Sequence, residues 1–297
     1  MTALHVVRDA GGDGGPDLDL DLADFKRWMR DLRGLRPNTV RVRVDVLTRV
    51  ATYLGKPLRD ATEGDLLRWE QVAVSGRRPE TRRAYVCHLR AFYRWAKVAG
   101  IVAEDPCTRL TLPMLHRALP RPVPEDDLRR AVGLARPKMR LMILLGAFCG
   151  LRCQEIAGLH WSDLRTVDGQ TSLHVREGKG GKERVVPVPA VVLEAMVTWG
   201  RRRSGPMFYG LDARQIEPKS VSRAINRHLA ELGIGATAHQ LRHRYGTTAY
   251  RLSKDIRMVQ ELLGRSSPNT TARYAAYDKA NEAEMVQAMG EQWRQED

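Results

Sequence analysis

The sequence predicts a mainly α chain of two domains, with one small antiparallel β-sheet in the second, on three observations. From Asp21 to about Leu115, apolar residues recur at helical spacing and no alternating run suggests a strand. The stretch Leu119-Pro120-Arg121-Pro122-Val123-Pro124 holds three prolines, which forbid a regular helix and read as a linker. Beyond it helical patterns resume, and the one β signal is a pair of alternating runs around a Gly-rich turn after Gly169. A length of 297 residues also suits two domains better than one. The boundaries expected are a flexible acidic, Gly-rich leader over 1–18, a helical domain over 19–116, the Pro-rich linker over 117–124 and a second domain over 125–297.

Each element has its own warrant. Asn38 can cap a helix running to Leu54, with Val40, Val44, Leu47 and Ala51 on one face and Gly55 closing it. Thr62-Glu63-Gly64-Asp65 is a capping-box-like start for the next helix. A third starts near Pro79 and stops before Gly100. Tyr85, Leu89, Phe92 and Ala96 line its core side, and Arg83, Arg90, Arg94 and Lys97 line the opposite one. Past the linker, helices are expected over Glu125–Arg136 and Pro137–Phe148, the second apolar all round and therefore buried. A hairpin follows, with runs Thr171–Val175 and Arg184–Val188 flanking the turn Gly178–Lys182. Helices then cover Val191–Arg201, Lys219–Leu232, Ala238–Tyr250, Ile256–Leu263, Pro268–Tyr277 and Asn281–Arg294.

Charge narrows the partners. The net charge is +14, and it is unevenly placed. Residues 1–24 carry six Asp against one Arg, whereas residues 25–120 hold 20 Lys/Arg against nine Asp/Glu. A basic excess concentrated in one third of the chain points to a polyanion, most often nucleic acid. It assigns the stripe Arg83, Arg90, Arg94 and Lys97, with Arg41 on an earlier helix, to phosphate contact; a merely solvated face is the alternative. The opening residues lack the apolar core of a signal peptide, and the run Leu141–Cys149 is too short to cross a membrane. A cytoplasmic location is expected. Cys87, Cys107, Cys149 and Cys153 make no paired framework and are read as reduced thiols.

The chemistry lies in a few short motifs. Gly150-Leu151-Arg152-Cys153-Gln154-Glu155 stands far upstream of Ala238-His239-Gln240-Leu241-Arg242-His243. Leu262-Leu263-Gly264-Arg265-Ser266-Ser267 and Thr271-Ala272-Arg273-Tyr274 follow. An arginine fork can grip both non-bridging oxygens of a phosphodiester, and a phenol can attack phosphorus and hold a covalent link. There is no P-loop and no acidic cluster spaced for magnesium, so neither cofactor nor metal is expected. His239 and Arg242 are one helical turn apart on the same face. Four late tyrosines, Tyr245, Tyr250, Tyr274 and Tyr277, are candidate nucleophiles.

These motifs resemble those of the tyrosine recombinases, the phage integrases and Xer-type resolvases, over nearly the whole chain. The resemblance implies a helical, SAM-like core-binding domain followed by a catalytic domain. Arg152 and Arg242 would be the two phosphate clamps, Glu155 a supporting partner, and His239 the residue that takes the phenol's proton or orients the phosphate. The turn Gly178-Lys179-Gly180-Gly181-Lys182 resembles the family's mobile hairpin, which favours Lys179 as the acid for the leaving 5′-hydroxyl, with Lys182 as the alternative. Arg265 occupies the place where the family most often has His or Trp. Nine residues further stands Tyr274, the nucleophile by this match, with Tyr277 as runner-up. His243 is read as structural.

The function implied is cutting and rejoining of duplex DNA through a 3′-phosphotyrosine, without ATP, as an integrase or a resolvase. The partners implied are double-stranded DNA with paired inverted half-sites and three further copies of the chain. A C-terminal helix with Met285, Val286, Met289 and Trp293 would dock on a neighbouring protomer. A type IB topoisomerase and a catalytically inactive DNA-binding regulator are the rival readings.

Overall fold

Helical periodicity in the first hundred residues builds a small all-α unit whose capping can be followed residue by residue. The computed structural model describes residues 20–115, 121–176, 183–200, 204–210 and 214–264. The chain divides into two compact units, Met1–Arg117 and Ala118–Asp297. In the first, α1 (Leu20–Arg27) runs on into a π-helical turn, Trp28–Leu32. Then come α2 (Pro37–Leu54), α3 (Glu63–Trp69), a second π-helical turn at Glu70–Val74, and α4 (Pro79–Val98).

Two details of this unit depart from the sequence reading. The start of α2 is set by Arg36 and Pro37, not by Asn38. A proline in the first turn has its φ preset and loses no hydrogen bond, so Asn38 is left inside the helix, where its Oδ1 accepts from Arg41 Nη2 at 2.8 Å. The helical pattern also ends at Val98; residues 99–115 are turns and irregular chain, with Pro106 and Pro113 barring a helix. Elsewhere the local signals hold. Gly55 closes α2 at φ 66°. Thr62 and Asp65 form a reciprocal cap, with Thr62 N–H donating to Asp65 Oδ2 at 2.8 Å and Asp65 N–H to Thr62 Oγ1 at 3.2 Å.

The core side of α4 buries Val86, Leu89, Phe92, Tyr93 and Ala96, with Tyr85 half-buried. Phe92 meets Phe25 edge-on at 5.4 Å between ring centroids, and the Tyr93 hydroxyl donates to Leu58 O at 2.9 Å. The basic side divides in two. Arg83 Nη1 donates to Pro113 O at 3.2 Å and Arg90 Nη2 to Leu110 O at 2.7 Å, so both are tied to the irregular segment. Arg94 and Lys97 are exposed, and Lys97 Nζ lies 3.6 Å from Glu104.

The second unit is organised around α6 (Pro137–Phe148). Leu141, Met142, Ile143, Leu144 and Leu145 are all buried, each contributing about 1.5–3 kcal/mol by leaving water. Around it pack α5 (Glu125–Gly133), α8 (Ala190–Trp199), α9 (Pro218–Glu231) and α10 (Ala238–Ser253). The short helices α7 (Cys153–Gly158) and α11 (Ile256–Leu262) complete its described helices. Helix α5 stops at Gly133, short of the expected Arg136, because the chain must turn ahead of Pro137.

The antiparallel sheet has three strands in the order β1 (Leu164–Val167), β2 (Gln170–Val175), β3 (Arg184–Pro187), one more than the sequence reading gave. Strand β1 lacks apolar alternation, since Arg165, Thr166 and Val167 are all exposed. It forms because Asp168 and Gly169 adopt positive φ, 48° and 75°, the two-residue turn that suits a hairpin's twist. Leu173 faces Val186 across β2 and β3, and both are fully buried. Among the described residues no helix is long and apolar enough to cross a membrane. Phe92→Ala is expected to destabilise the first unit by about 3–5 kcal/mol, the range for emptying a buried phenyl site. Chemical denaturation followed by tryptophan fluorescence and far-UV circular dichroism reads that loss.

Candidate active site

The two arginine motifs meet because of how α6 and α10 end and begin. Helix α6 is followed by Gly150 at φ +62°, a left-handed conformation, and Leu151 N–H turns back to Leu145 O at 3.2 Å. A Cβ on Gly150 would stand 2.3 Å from the Tyr245 ring, so this position needs glycine twice over. Arg152 then precedes α7, and its backbone N–H donates to Glu155 Oε2 at 2.9 Å. The first turn of α10 is held by Ala238 N–H donating to Asn226 Oδ1 at 2.8 Å and Thr237 N–H to Gln240 Oε1 at 2.8 Å. His239 is exposed in that turn. Arg242, one turn on, is buried and donates through Nη1 to Gly150 O and through Nη2 to Leu263 O.

At the centre is Glu155, whose side chain is 1% exposed. Three guanidiniums surround it. Arg152 Nη1 donates to Oε1 at 2.6 Å, and Arg242 Nη1 lies 3.6 Å from Oε2. Arg184, from the start of β3, bridges both oxygens, with Nη1 to Oε1 at 3.0 Å and Nη2 to Oε2 at 2.8 Å. Burial alone would push the carboxyl up, but Arg184, the Arg152 amide and the Arg242 charge together hold it at about 2. Glu155 is therefore a permanent anion within three permanent cations, and the cluster keeps a positive surplus suited to phosphate.

The tyrosines separate. Tyr245 is half-buried, packed on Gly150 and on the small cluster of Val259 and Leu263, and burial pushes its phenol up to about 12. Tyr250 packs in the same cluster. Tyr274 and Tyr277 lie outside the described residues, as do Lys179, Lys182, Arg265 and the terminal segment with Met285, Val286, Met289 and Trp293. Among the expected site residues the structure thus brings together Arg152, Glu155, Arg242 and, one helical turn from the last, His239. His243, read as structural, is buried and stacks edge-on against His239 at 4.5 Å.

The sequence reading missed Arg184. Its signal was parity: with Val186 facing the core, a period of two puts Arg184 on the same inner side of β3, where an arginine demands an anionic partner. The cysteines are free thiols, Cys149 buried and Cys153 half-buried.

Residues 124–281 match the phage integrase family model. A tyrosine recombinase XerC from Rhodospirillum centenum is 37% identical over 294 residues, covering 89% of this chain and 84% of the relative. The chain belongs to the tyrosine recombinase family. Its members are site-specific recombinases that act as DNA strand transferases. A second member, a XerA from Pyrococcus furiosus, is 30% identical over 263 residues, covering 85% of this chain and 88% of its own. The recombinase fold recurs in solved structures. XerH bound to a palindromic difH substrate in a post-cleavage complex matches at a TM-score of 0.70 and 19% identity, covering 89% of this chain and 84% of that one. A lambda integrase dimer on a COC′ core site matches at 0.68 and 18% identity, covering 86% and 75%.

Two outcomes follow for this recombinase. Gly150→Ala is expected to cost about 1–2 kcal/mol for the left-handed backbone and about 1–3 kcal/mol for the collision with Tyr245, seen as a lowered denaturation midpoint. The lowered Glu155 carboxyl stabilises the fold at every pH above its unfolded value near 4.5, and that contribution drains away as pH falls toward about 2. Thermal melts of Glu155→Gln between pH 7 and pH 2 should accordingly show a flatter acid limb than the parent.

Proposed function

We propose that this chain is a recombinase that cuts and rejoins duplex DNA at specific sites through Tyr274. The observation that carries the reading is the junction made by Arg242, whose guanidinium binds the carbonyl of Gly150, 92 residues upstream, next to Arg152 and Glu155. A cationic cluster of this kind, with His239 exposed beside it, is suited to an in-line displacement at phosphorus. The Tyr274 oxygen attacks the scissile phosphate, the Tyr274 Oη–P bond forms and the P–O5′ bond breaks. His239 takes the phenol's proton or orients the phosphate. Arg152, Arg242 and Arg265 stabilise the charge on the non-bridging oxygens, and Lys179 gives the departing 5′-oxygen its proton.

The product is a 3′-phosphotyrosine and a 5′-hydroxyl. Attack by a 5′-hydroxyl from the partner strand reverses the step, and one phosphodiester replaces another with no need for ATP. Residues 19–116 act as the core-binding domain and 125–297 as the catalytic domain, each gripping the duplex, with four protomers on paired inverted half-sites. Within the first domain, the tethering of Arg83 and Arg90 to chain carbonyls leaves Arg94 and Lys97, with Arg41, as the phosphate contacts.

A nicked suicide duplex tests the chemistry. It is expected to trap a covalent protein–DNA adduct that is lost in Tyr274→Phe and retained in Tyr277→Phe; the reverse pattern would sink the assignment. Lys179→Ala is expected to slow cleavage, and a 5′-bridging phosphorothiolate, whose thiolate leaves without a proton, to restore it. For binding, Arg94→Gln combined with Lys97→Gln should lower the salt slope of duplex affinity by about two, whereas Arg90→Gln should lower stability and leave the slope unchanged. Filter binding across a salt series decides it.

A further inference from the structure

Arg184 makes more contacts with the catalytic cluster than any role described above requires. Its side chain is 8% exposed. It closes a two-point fork on Glu155 from 29 residues away, and its Nε donates to Leu262 O at 3.0 Å. Gly264, at φ +57°, is where a Cβ would stand 2.9 Å from Arg184 Cδ, so the backbone after α11 lies directly on this side chain. Arg184 and Arg242 thus grip consecutive carbonyls, those of Leu262 and Leu263, at the end of α11. Cations are favoured at a helix C-terminus, where carbonyls lack helical partners.

The stoichiometry around Glu155 is informative. A carboxylate accepts about four hydrogen bonds. Arg184 takes one on each oxygen, and Arg152 takes one on each, through its backbone N–H and a single side-chain N–H. A neutralised Glu155 therefore holds the Arg152 guanidinium by one nitrogen only. The Arg152 side chain remains 25% exposed. Without Arg184 the same buried anion would have to be balanced by Arg152 and Arg242, drawing both inward.

We propose that Arg184 is a positioning residue for strand cleavage: it neutralises Glu155 so that the Arg152 guanidinium is left to the scissile phosphate. This rests on the phosphoryl-transfer reading above. Arg184 does not touch the DNA in this role. Its fork matters as well as its charge, because a lysine would neutralise Glu155 but could not hold both oxygens and the Leu262 carbonyl together.

Single-turnover adduct formation on the suicide duplex, in a double-mutant cycle, tests it. Arg184→Gln is expected to slow cleavage about ten- to a hundredfold, less than the loss of a donor that touches the transition state itself, with duplex affinity changed less than about threefold. Placing Glu155→Gln in the same chain removes the anion that would draw Arg152 inward, so the double variant should cleave within about threefold of Glu155→Gln alone. Additive losses would mean that Arg184 acts independently of Glu155, and they overturn the proposal. Arg184→Lys, which keeps the charge should Arg184→Gln fail to fold, is expected to lose about fivefold or more, again recovered with Glu155→Gln; a parental rate for it also overturns the proposal. The parental rate is read first: no adduct there overturns the phosphoryl-transfer reading and this role together, whereas a normal parental adduct with an unaffected Arg184→Gln overturns this role alone.

Discussion

One buried carboxylate organises the cationic cluster of the second unit. Taking a glutamate out of water costs several kcal/mol unless the charge is met in full, and Glu155 is met by Arg152, Arg184 and Arg242. Each partner arrives on a different element: Arg152 ahead of α7, Arg184 on β3, Arg242 on α10. All three converge on the same two oxygens, so satisfying one anion fixes the mutual placement of three elements. Arginine suits this better than lysine, since a planar fork can serve a carboxylate and a carbonyl at once.

The surplus of positive charge has a direction. Arg242 is buried and the Arg184 side chain is only 8% exposed, and their hydrogen bonds run to Gly150, Leu262, Leu263 and Glu155. Arg152 and His239 stand nearer to solvent. A rigid, cationic floor beneath a few reachable donors is the arrangement that stabilises charge as it develops on phosphorus with little reorganisation. Two glycines make the floor possible: Gly150 lets the Tyr245 ring come close, and Gly264 does the same for Arg184.

In the first unit the same residue type serves two ends. Arginines at helical spacing along α4 look equivalent in sequence, yet Arg83 and Arg90 bond to the carbonyls of Pro113 and Leu110 and hold down an irregular segment. Carbonyls outside helices and strands need donors, and the nearest long cations supply them. Arg94 and Lys97 make no such carbonyl contact and stay exposed, Lys97 beside the Glu104 carboxylate.

By itself the sequence determined what depends on neighbours within a few residues. The helices from Pro37 to Leu54 and Pro79 to Val98, the reciprocal cap of Thr62 and Asp65, the glycine stop at Gly55, and the pairing of Arg152 with Glu155 all follow from local geometry. Strand β1 was legible too, through Asp168-Gly169, but its polar residues hid it from a search for alternation. The tertiary structure decided the long-range choices: that Arg242 is buried on carbonyls, that Tyr245 packs against a glycine, and that Arg184 shares Glu155. Spacing along a helix or strand is set by backbone dihedrals, which each residue carries with it. Which cation meets a given buried carboxylate or carbonyl across 29 or 92 residues is set by burial and charge balance over the whole unit, and no local pattern encodes that sum.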